Sequence, residues 1–253
     1  MSYDITSQSN ERIKWLVRLR DRRHRDAEGV FVVEGERLYG RALESGLTPA
    51  VTFVSGEFDT IGETIVVSPD VMDKASYRTR SEGLISVFPQ FDVTLGRIAL
   101  GSDPLILVVE NIEKPGNLGA MLRTAAAAGV DAVVAVGGAV DPFNPNVLRS
   151  STGALFSVPV AVTTWDELAP WLDGMNVVAT TPEAPSSIWD TDLSGPTAVL
   201  IGAEDEGLTE GALKTASLTV TIPQAKGTTD SLNASVAAGI VLFEAVRQRG
   251  GER

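Results

Sequence analysis

Three short segments carry the polar residues whose types and spacing could do chemistry. In the first, Asn111-Ile-Glu-Lys-Pro-Gly-Asn117-Leu-Gly-Ala-Met-Leu-Arg123, a carboxamide stands six residues ahead of a guanidinium. In the second, Gly202-Ala-Glu204-Asp-Glu-Gly207, three carboxylates lie between two glycines. The third pairs Ile222-Pro223 with Ser231-Leu232-Asn233 at the mouth of an apolar run. Carboxamides, carboxylates, a hydroxyl and one guanidinium suit positioning and charge stabilisation. The chain has no cysteine, and its single histidine, His24, sits among arginines. Thiolate nucleophiles, disulfides and histidine-dependent dyads or zinc sites therefore have nothing to use.

Each segment also has a plainer reading. Asn117 stands where a helix N-cap belongs, able to accept from first-turn N–H groups. Arg123 interrupts the apolar stretch Met121-Leu122 and Ala125–Ala128, where a guanidinium calls for a carboxylate or phosphate partner or a surface ion pair. The acids 204–206 could load the positive end of a following helix. Asp230 or Ser231 could cap the last helix. No dinucleotide fingerprint or P-loop is present.

The elements that must position these residues fall into two blocks. Residues 1–95 read as a small α/β unit: a basic helix over 10–23, a strand at 30–33, a helix over 36–45, and then the segments 50–54, 64–67 and 82–88, of which the first and last are apolar and β-branched enough to be strands. Residues 92–104 have weak periodicity with Gly96, Gly101 and Pro104 and form the expected boundary. From 104 to 253, apolar strands at 105–109, 132–136, 177–179, 197–201 and 218–222 alternate with helices near 118–128, 146–156, 165–173, 207–215 and 231–249. Strands apolar on both faces, separated by helices, make a parallel sheet covered on both sides. Its ligands belong at the carboxyl ends of the strands, where all three segments begin. The helix 231–249 is apolar on two sides, with Leu232, Val236, Ile240 and Phe243 on one and Ala234, Ala238, Val241 and Ala245 on the other. This predicts burial against both its own sheet and a partner subunit.

The net charge of −12 opposes a polyanionic partner. The acid is unevenly spread, however: residues 1–100 carry 13 Lys+Arg against 15 Asp+Glu, and residues 101–253 carry 8 against 18. Within residues 11–25, Arg12, Lys14, Arg18, Arg20, Arg22, Arg23 and Arg25 face only Glu11 and Asp21. This patch meets either a phosphate backbone or solvent. No apolar stretch approaches the length of a membrane helix, so a cytoplasmic protein without membrane or metal partners is expected.

The three segments together resemble the motif set of the SpoU (TrmH-type) RNA 2′-O-ribose methyltransferases of the SPOUT superfamily, strongly over residues 105–249. Asp141-Pro-Phe-Asn-Pro-Asn146-Val-Leu-Arg149 also fits the family pattern. The first hundred residues are similar, more loosely, to the family's substrate-binding domain. The resemblance implies a trefoil-knotted α/β domain, S-adenosyl-L-methionine as methyl donor, and RNA as substrate with ribosomal favoured over transfer RNA, while the two-sided apolarity of helix 231–249 predicts a homodimer through the C-terminal helix. It implies Arg123 as the catalytic arginine, with Asn117, Glu204, Ser231 and Asn233 at the reacting centre, and Ile201, Gly202, Ile222 and Leu232 around the donor. Arg149 and the patch Arg18, Arg20, Arg22, Arg23 and Arg25 are the expected RNA contacts. Seven residues, 224–230, separate Pro223 from Ser231 where the family usually has six. Two other readings stay open: a non-catalytic RNA-binding member of the fold, and an unrelated nucleotide-binding α/β enzyme, which the missing phosphate loop disfavours.

Overall fold

The structure, a computed structural model, describes residues 2–78, 80–137, 141–225 and 231–250. Contacts divide the chain into two compact units, Met1–Phe91 with Phe143–Phe156, and Asp92–Pro142 with Ser157–Arg253.

The first unit runs α1 (Glu11–Arg18), α2 (Arg22–Glu28), β1 (Val30–Glu34), α3 (Glu36–Glu44), β2 (Val51–Val54), β3 (Thr64–Val66), α4 (Pro69–Ala75) and β4 (Leu84–Pro89). Its sheet has the order β1-β4-β2-β3, with β2 and β3 parallel and the other pairs antiparallel. Ile13, Leu16 and Leu19 pack with Phe53, Ile85 and Val87 in its core. The single basic helix expected over 10–23 is two helices. Asp21 starts the second by accepting from the Arg23 N–H at 2.9 Å. The buried guanidinium of Arg25 donates to the carbonyls of Leu19 and Arg20, both at 2.8 Å, so a cation meets the negative end of α1.

The second unit begins with β5 (Leu105–Glu110), α5 (Pro115–Ala128) and β6 (Ala132–Val136). The chain then forms α6 (Pro145–Ser151) within the first unit before continuing as β7 (Val160–Thr163), α7 (Trp165–Trp171), β8 (Asn176–Thr180), β9 (Ser186–Ser187), β10 (Thr197–Ile201), α8 (Glu210–Thr215), β11 (Leu218–Thr221) and α9 (Ala234–Gln248). The strands form a parallel sheet of order β7-β6-β5-β10-β8-β11-β9. Every residue of β5, β6 and β10 is buried, as a sheet covered on both faces requires. Two short strands, β7 and β9, add to the expected five; runs this brief escape periodicity.

The sequence pattern sets the helix 146–156 among those covering this sheet. Instead α6 and the turn after it belong to the first unit. Phe143 stacks on Phe31 with ring centroids 5.1 Å apart and meets Phe91 edge-on at 5.0 Å, and Phe156 lies 6.1 Å from Phe31. Aromatic burial of this size dominates a local core. The Arg41 side chain crosses Gly153, where an added Cβ would lie 2.5 Å from Arg41 Cδ and φ is +90°.

In α9, Ala238, Val241, Leu242 and Ala245 are buried, whereas Val236 and Phe243 are each 49% exposed. Helix α9 packs against α5. Arg247 pairs with Glu244 at 2.7 Å and holds its carboxyl below the ordinary carboxylate value. Among the described residues no helix is long and apolar enough to cross a membrane.

Candidate active site

Pro115 occupies the first turn of α5 and Lys114 takes the N-cap position. A proline there loses no hydrogen bond, because first-turn N–H groups have no intrahelical partner. The helix therefore starts earlier than expected, and Asn117 is not its cap. Its side chain is left for another partner: Asn117 Nδ2 donates to Glu204 Oε1 in a short contact.

Glu204 lies in the loop after β10, ahead of the helix rather than in its first turn. Helix α8 starts later, at Glu210, capped by Thr209, whose Oγ1 accepts from the Ala212 N–H. The acids 204–206 therefore do not load a helix dipole. The loop is a tight reversal in which Ala203 and Gly207 exchange N–H···O bonds of 3.1 and 3.0 Å. Gly202 is required beneath it, since an added Cβ would lie 2.3 Å from the carbonyl carbon of Gly207.

Asn233 supplies the third member. It caps α9 by accepting from the Ser235 N–H at 3.0 Å, which corrects the expected cap at Asp230 or Ser231; Asp230 lies outside the described residues. Asn233 Nδ2 also donates to Glu204 Oε1 at 3.0 Å and approaches Asn117 Oδ1 at 3.3 Å. The three segments thus meet at one carboxylate. Lys114 Nζ reaches Glu204 Oε2 at 2.5 Å, and Glu204 holds the ammonium above its ordinary value of 10.5. That lysine is exposed, and water screens such a pair strongly. A hydrogen bond from an amide N–H to a carboxylate contributes about 1.5–3 kcal/mol, so the two asparagines fix Glu204 and the lysine follows it.

Beside this cluster a cleft of about 840 Å³ opens along the carboxyl ends of β8, β10 and β11, within the roughly 300–1,000 Å³ typical of small-molecule sites. Ile201, Gly202, Glu204, Ile222, Ser231 and Leu232 all line it. Its opposite wall, Thr180–Pro185, gave no sequence signal beyond its place after a strand. Thr180 Oγ1 has no hydrogen-bond partner among the described residues. The loop 226–230, within the expected insertion, lies outside the described residues.

Arg123 does not join this cluster. It is exposed on α5 and makes no hydrogen bond or ion pair among the described residues. Of the partners expected for it, neither a carboxylate nor a surface ion pair is present among the described residues, because α5 turns Met121, Leu122, Ala125 and Ala128 inward and leaves position 123 to solvent. Arg149, exposed on α6, belongs to the first unit and donates to Asn146 Oδ1 at 2.7 Å. In the basic patch, Arg25 is buried and unable to meet phosphate directly. Arg20 reaches the Lys74 carbonyl at 2.8 Å, capping α4, and Arg22 pairs with Asp26 at 3.2 Å. Arg18 and Arg23 are exposed.

Sequence reasoning passed over Glu110. Buried at the carboxyl end of β5, it accepts from Trp165 Nε1 in a short contact, and from the Thr209 N–H at 2.8 Å and Oγ1 at 2.7 Å. It thereby anchors the far end of the Gly202–Gly207 loop. An acid ending an apolar strand was the available signal.

A parallel α/β sheet with a ligand-sized cleft and an amide–carboxylate cluster at its carboxyl edge defines a protein with a small-molecule site there. The SpoU rRNA methylase family model matches residues 104–243, and the MRM3-like substrate binding domain matches residues 10–86. The chain belongs to the SpoU rRNA methylase family. A 23S rRNA (uridine(2479)-2′-O)-methyltransferase of Streptomyces viridochromogenes is 31% identical over 97% of this chain and 92% of its own. The crystal structure of the SpoU methyltransferase AviRb from Streptomyces viridochromogenes with AdoMet superimposes with a TM-score of 0.89 at 30% identity, covering 96% of this chain and 100% of that one. A crystal structure of an RNA 2′-O ribose methyltransferase gives 0.85 at 41% identity, over 97% and 98% of the two chains.

Proposed function

We propose that this protein transfers a methyl group from S-adenosylmethionine to a ribose 2′-hydroxyl of structured RNA, ribosomal in preference to transfer RNA, in the cytoplasm. The observation that carries the reading is the meeting of Asn117, Glu204 and Asn233, one from each segment, at the edge of the cleft. The cleft suits the donor: Gly202, Ile201, Ile222 and Leu232 shape an apolar slot, Thr180 offers an unmet hydroxyl, and the carboxylates of 204–206 suit a cationic sulfur. When bound, the donor supplies an electrophilic methyl group.

The protein's task is then to align a hydroxyl and stabilise the negative charge that grows on it. Ser231 and Asn233 position the ribose. Arg123, a poor proton acceptor, stabilises the developing alkoxide and anchors the neighbouring phosphate, while the proton leaves to water. The two expected domains divide the work, 1–95 holding RNA through Arg18 and Arg23 with Arg149 added to them, and 104–253 holding the donor in a trefoil-knotted sheet. Arg149 comes from the later part of the chain but folds with the first unit. The exposed face of α9 makes the homodimer.

Calorimetry with S-adenosylmethionine tests the donor site. Binding is expected for the wild-type chain and its loss for Gly202→Ala, whose added methyl group has no room over Gly207. A signal for NAD or ATP but none for the donor sinks the assignment.

A further inference from the structure

We infer that Tyr77, with Arg149 at its rim, forms a platform that stacks one unpaired base of the RNA and binds its phosphate. The inference rests on the RNA methyltransferase reading and adds a recognition residue to it.

Tyr77 is 40% exposed, yet both its ends are fixed. Its backbone N–H donates to Glu34 Oε1 at 2.5 Å, and its phenol oxygen accepts from Asn146 Nδ2 at 3.1 Å. An aromatic ring already immobilised loses little freedom when a base lies on it. Beside it Val32, Leu38, Pro145 and Leu148 line a shallow apolar recess, with Arg78 and Arg149 also on its walls.

The charges nearby are unequal in what remains available. Glu34 also lines the recess, its two oxygens held back by the Tyr77 N–H and by Ser76 Oγ at 3.0 Å, neutral donors that orient the carboxylate without cancelling its charge. Glu82 is taken by Arg78 in a short ion pair. Arg149 donates to Asn146, a neutral amide, so no carboxylate among the described residues cancels its charge. An apolar recess, a fixed ring and an uncancelled guanidinium match a base with its phosphate. A chain with net charge −12 needs such a local cation to hold a polyanion. The bases of an A-form duplex are stacked inside and its deep groove is closed to side chains, so the partner is an unpaired nucleotide.

The platform joins two parts of the sequence. Tyr77 and Arg78 lie in the stretch matched by the substrate-binding domain, Asn146 and Arg149 in that matched by the methylase family, and all four fold in one compact unit.

Two measurements test this, using a short single-stranded RNA with a central 2-aminopurine and the corresponding duplex. Tyr77→Ala should weaken single-strand binding by about 5- to 150-fold, the range for one stacked base, and abolish the quenching of 2-aminopurine. Tyr77→Phe should keep both, and duplex affinity should not change in either variant. Arg149→Ala should weaken binding and reduce its logarithmic salt slope by about 0.7. Donor affinity, measured by calorimetry, should be unchanged in all variants. A Tyr77→Ala protein with wild-type affinity and quenching overturns the platform and leaves the methyltransferase reading intact. Loss of donor binding in the same variant would mark Tyr77 as structural and overturn the platform too. A folded wild-type chain that binds neither RNA overturns both readings.

Discussion

Pro115 decides what Asn117 does. By opening α5 at a position where no N–H is needed, it leaves the asparagine inside the first turn with its amide free to reach Glu204. Arg123, six residues on, differs in kind: it is exposed and makes no protein bond among the described residues, so its function is not structural. Replacing it by alanine, the best helix former, should therefore leave melting unchanged. If it stabilises the alkoxide, methyl transfer should fall by roughly 10²–10³-fold with donor affinity intact, and lysine should restore only part because it lacks the planar fork. Single-turnover methylation of ribosomal RNA decides this; near-normal rates in Arg123→Ala remove it from the mechanism. The meeting of Asn117, Glu204 and Asn233 is legible from motif resemblance, but their mutual hydrogen bonds are not, since Asn117 looks equally suitable as a helix cap, the acids 204–206 as the load on a helix dipole, and Asp230 or Ser231 as the cap of the last helix. Arg25 looked like one more surface cation. Its burial follows from the break between α1 and α2, which Asp21 creates.

At the scale of elements, α9 answers the two-sided pattern read from its sequence. One face is buried against α5 and the sheet, and the other presents Val236 and Phe243, each 49% exposed. Val241 is fully buried within the chain, so a charge there would unfold the subunit and report nothing about association. Phe243→Asp is the informative change. If this face joins two copies, light scattering should show a wild-type dimer and a monomeric Phe243→Asp protein that keeps its helical circular dichroism; a wild-type monomer at micromolar concentration refutes the interface. The long apolar strands were readable because burial on both faces leaves them no polar residues. Four-residue β7 and two-residue β9 were not, and α6 misled because its own pattern fits a sheet-covering helix. Only the distant partners of Phe143 and Phe156 place it elsewhere.

For the whole molecule, the charge balance sets the problem of holding RNA. The first hundred residues are nearly neutral, with 13 cations against 15 anions, and most of the excess acid lies beyond them. Binding must therefore concentrate on the few cations that the fold leaves uncommitted. The structure sorts the basic patch accordingly: Arg20 and Arg25 cap helix ends, Arg22 pairs with Asp26, and Arg18 and Arg23 are exposed, with Glu11 feeling the charge of Arg18. Reversing Arg18 and Arg23 to glutamate should weaken RNA binding and flatten its logarithmic salt slope by about 1.4–1.8, the value for two lost phosphate contacts, without altering donor affinity. Arg25→Ala should do the opposite, lowering the melting temperature through the uncapped carbonyls of Leu19 and Arg20 while leaving the salt slope alone. Filter binding across a salt series, paired with thermal melts, separates the two outcomes. An unchanged slope in the Arg18, Arg23 double reversal would show that this face meets only solvent.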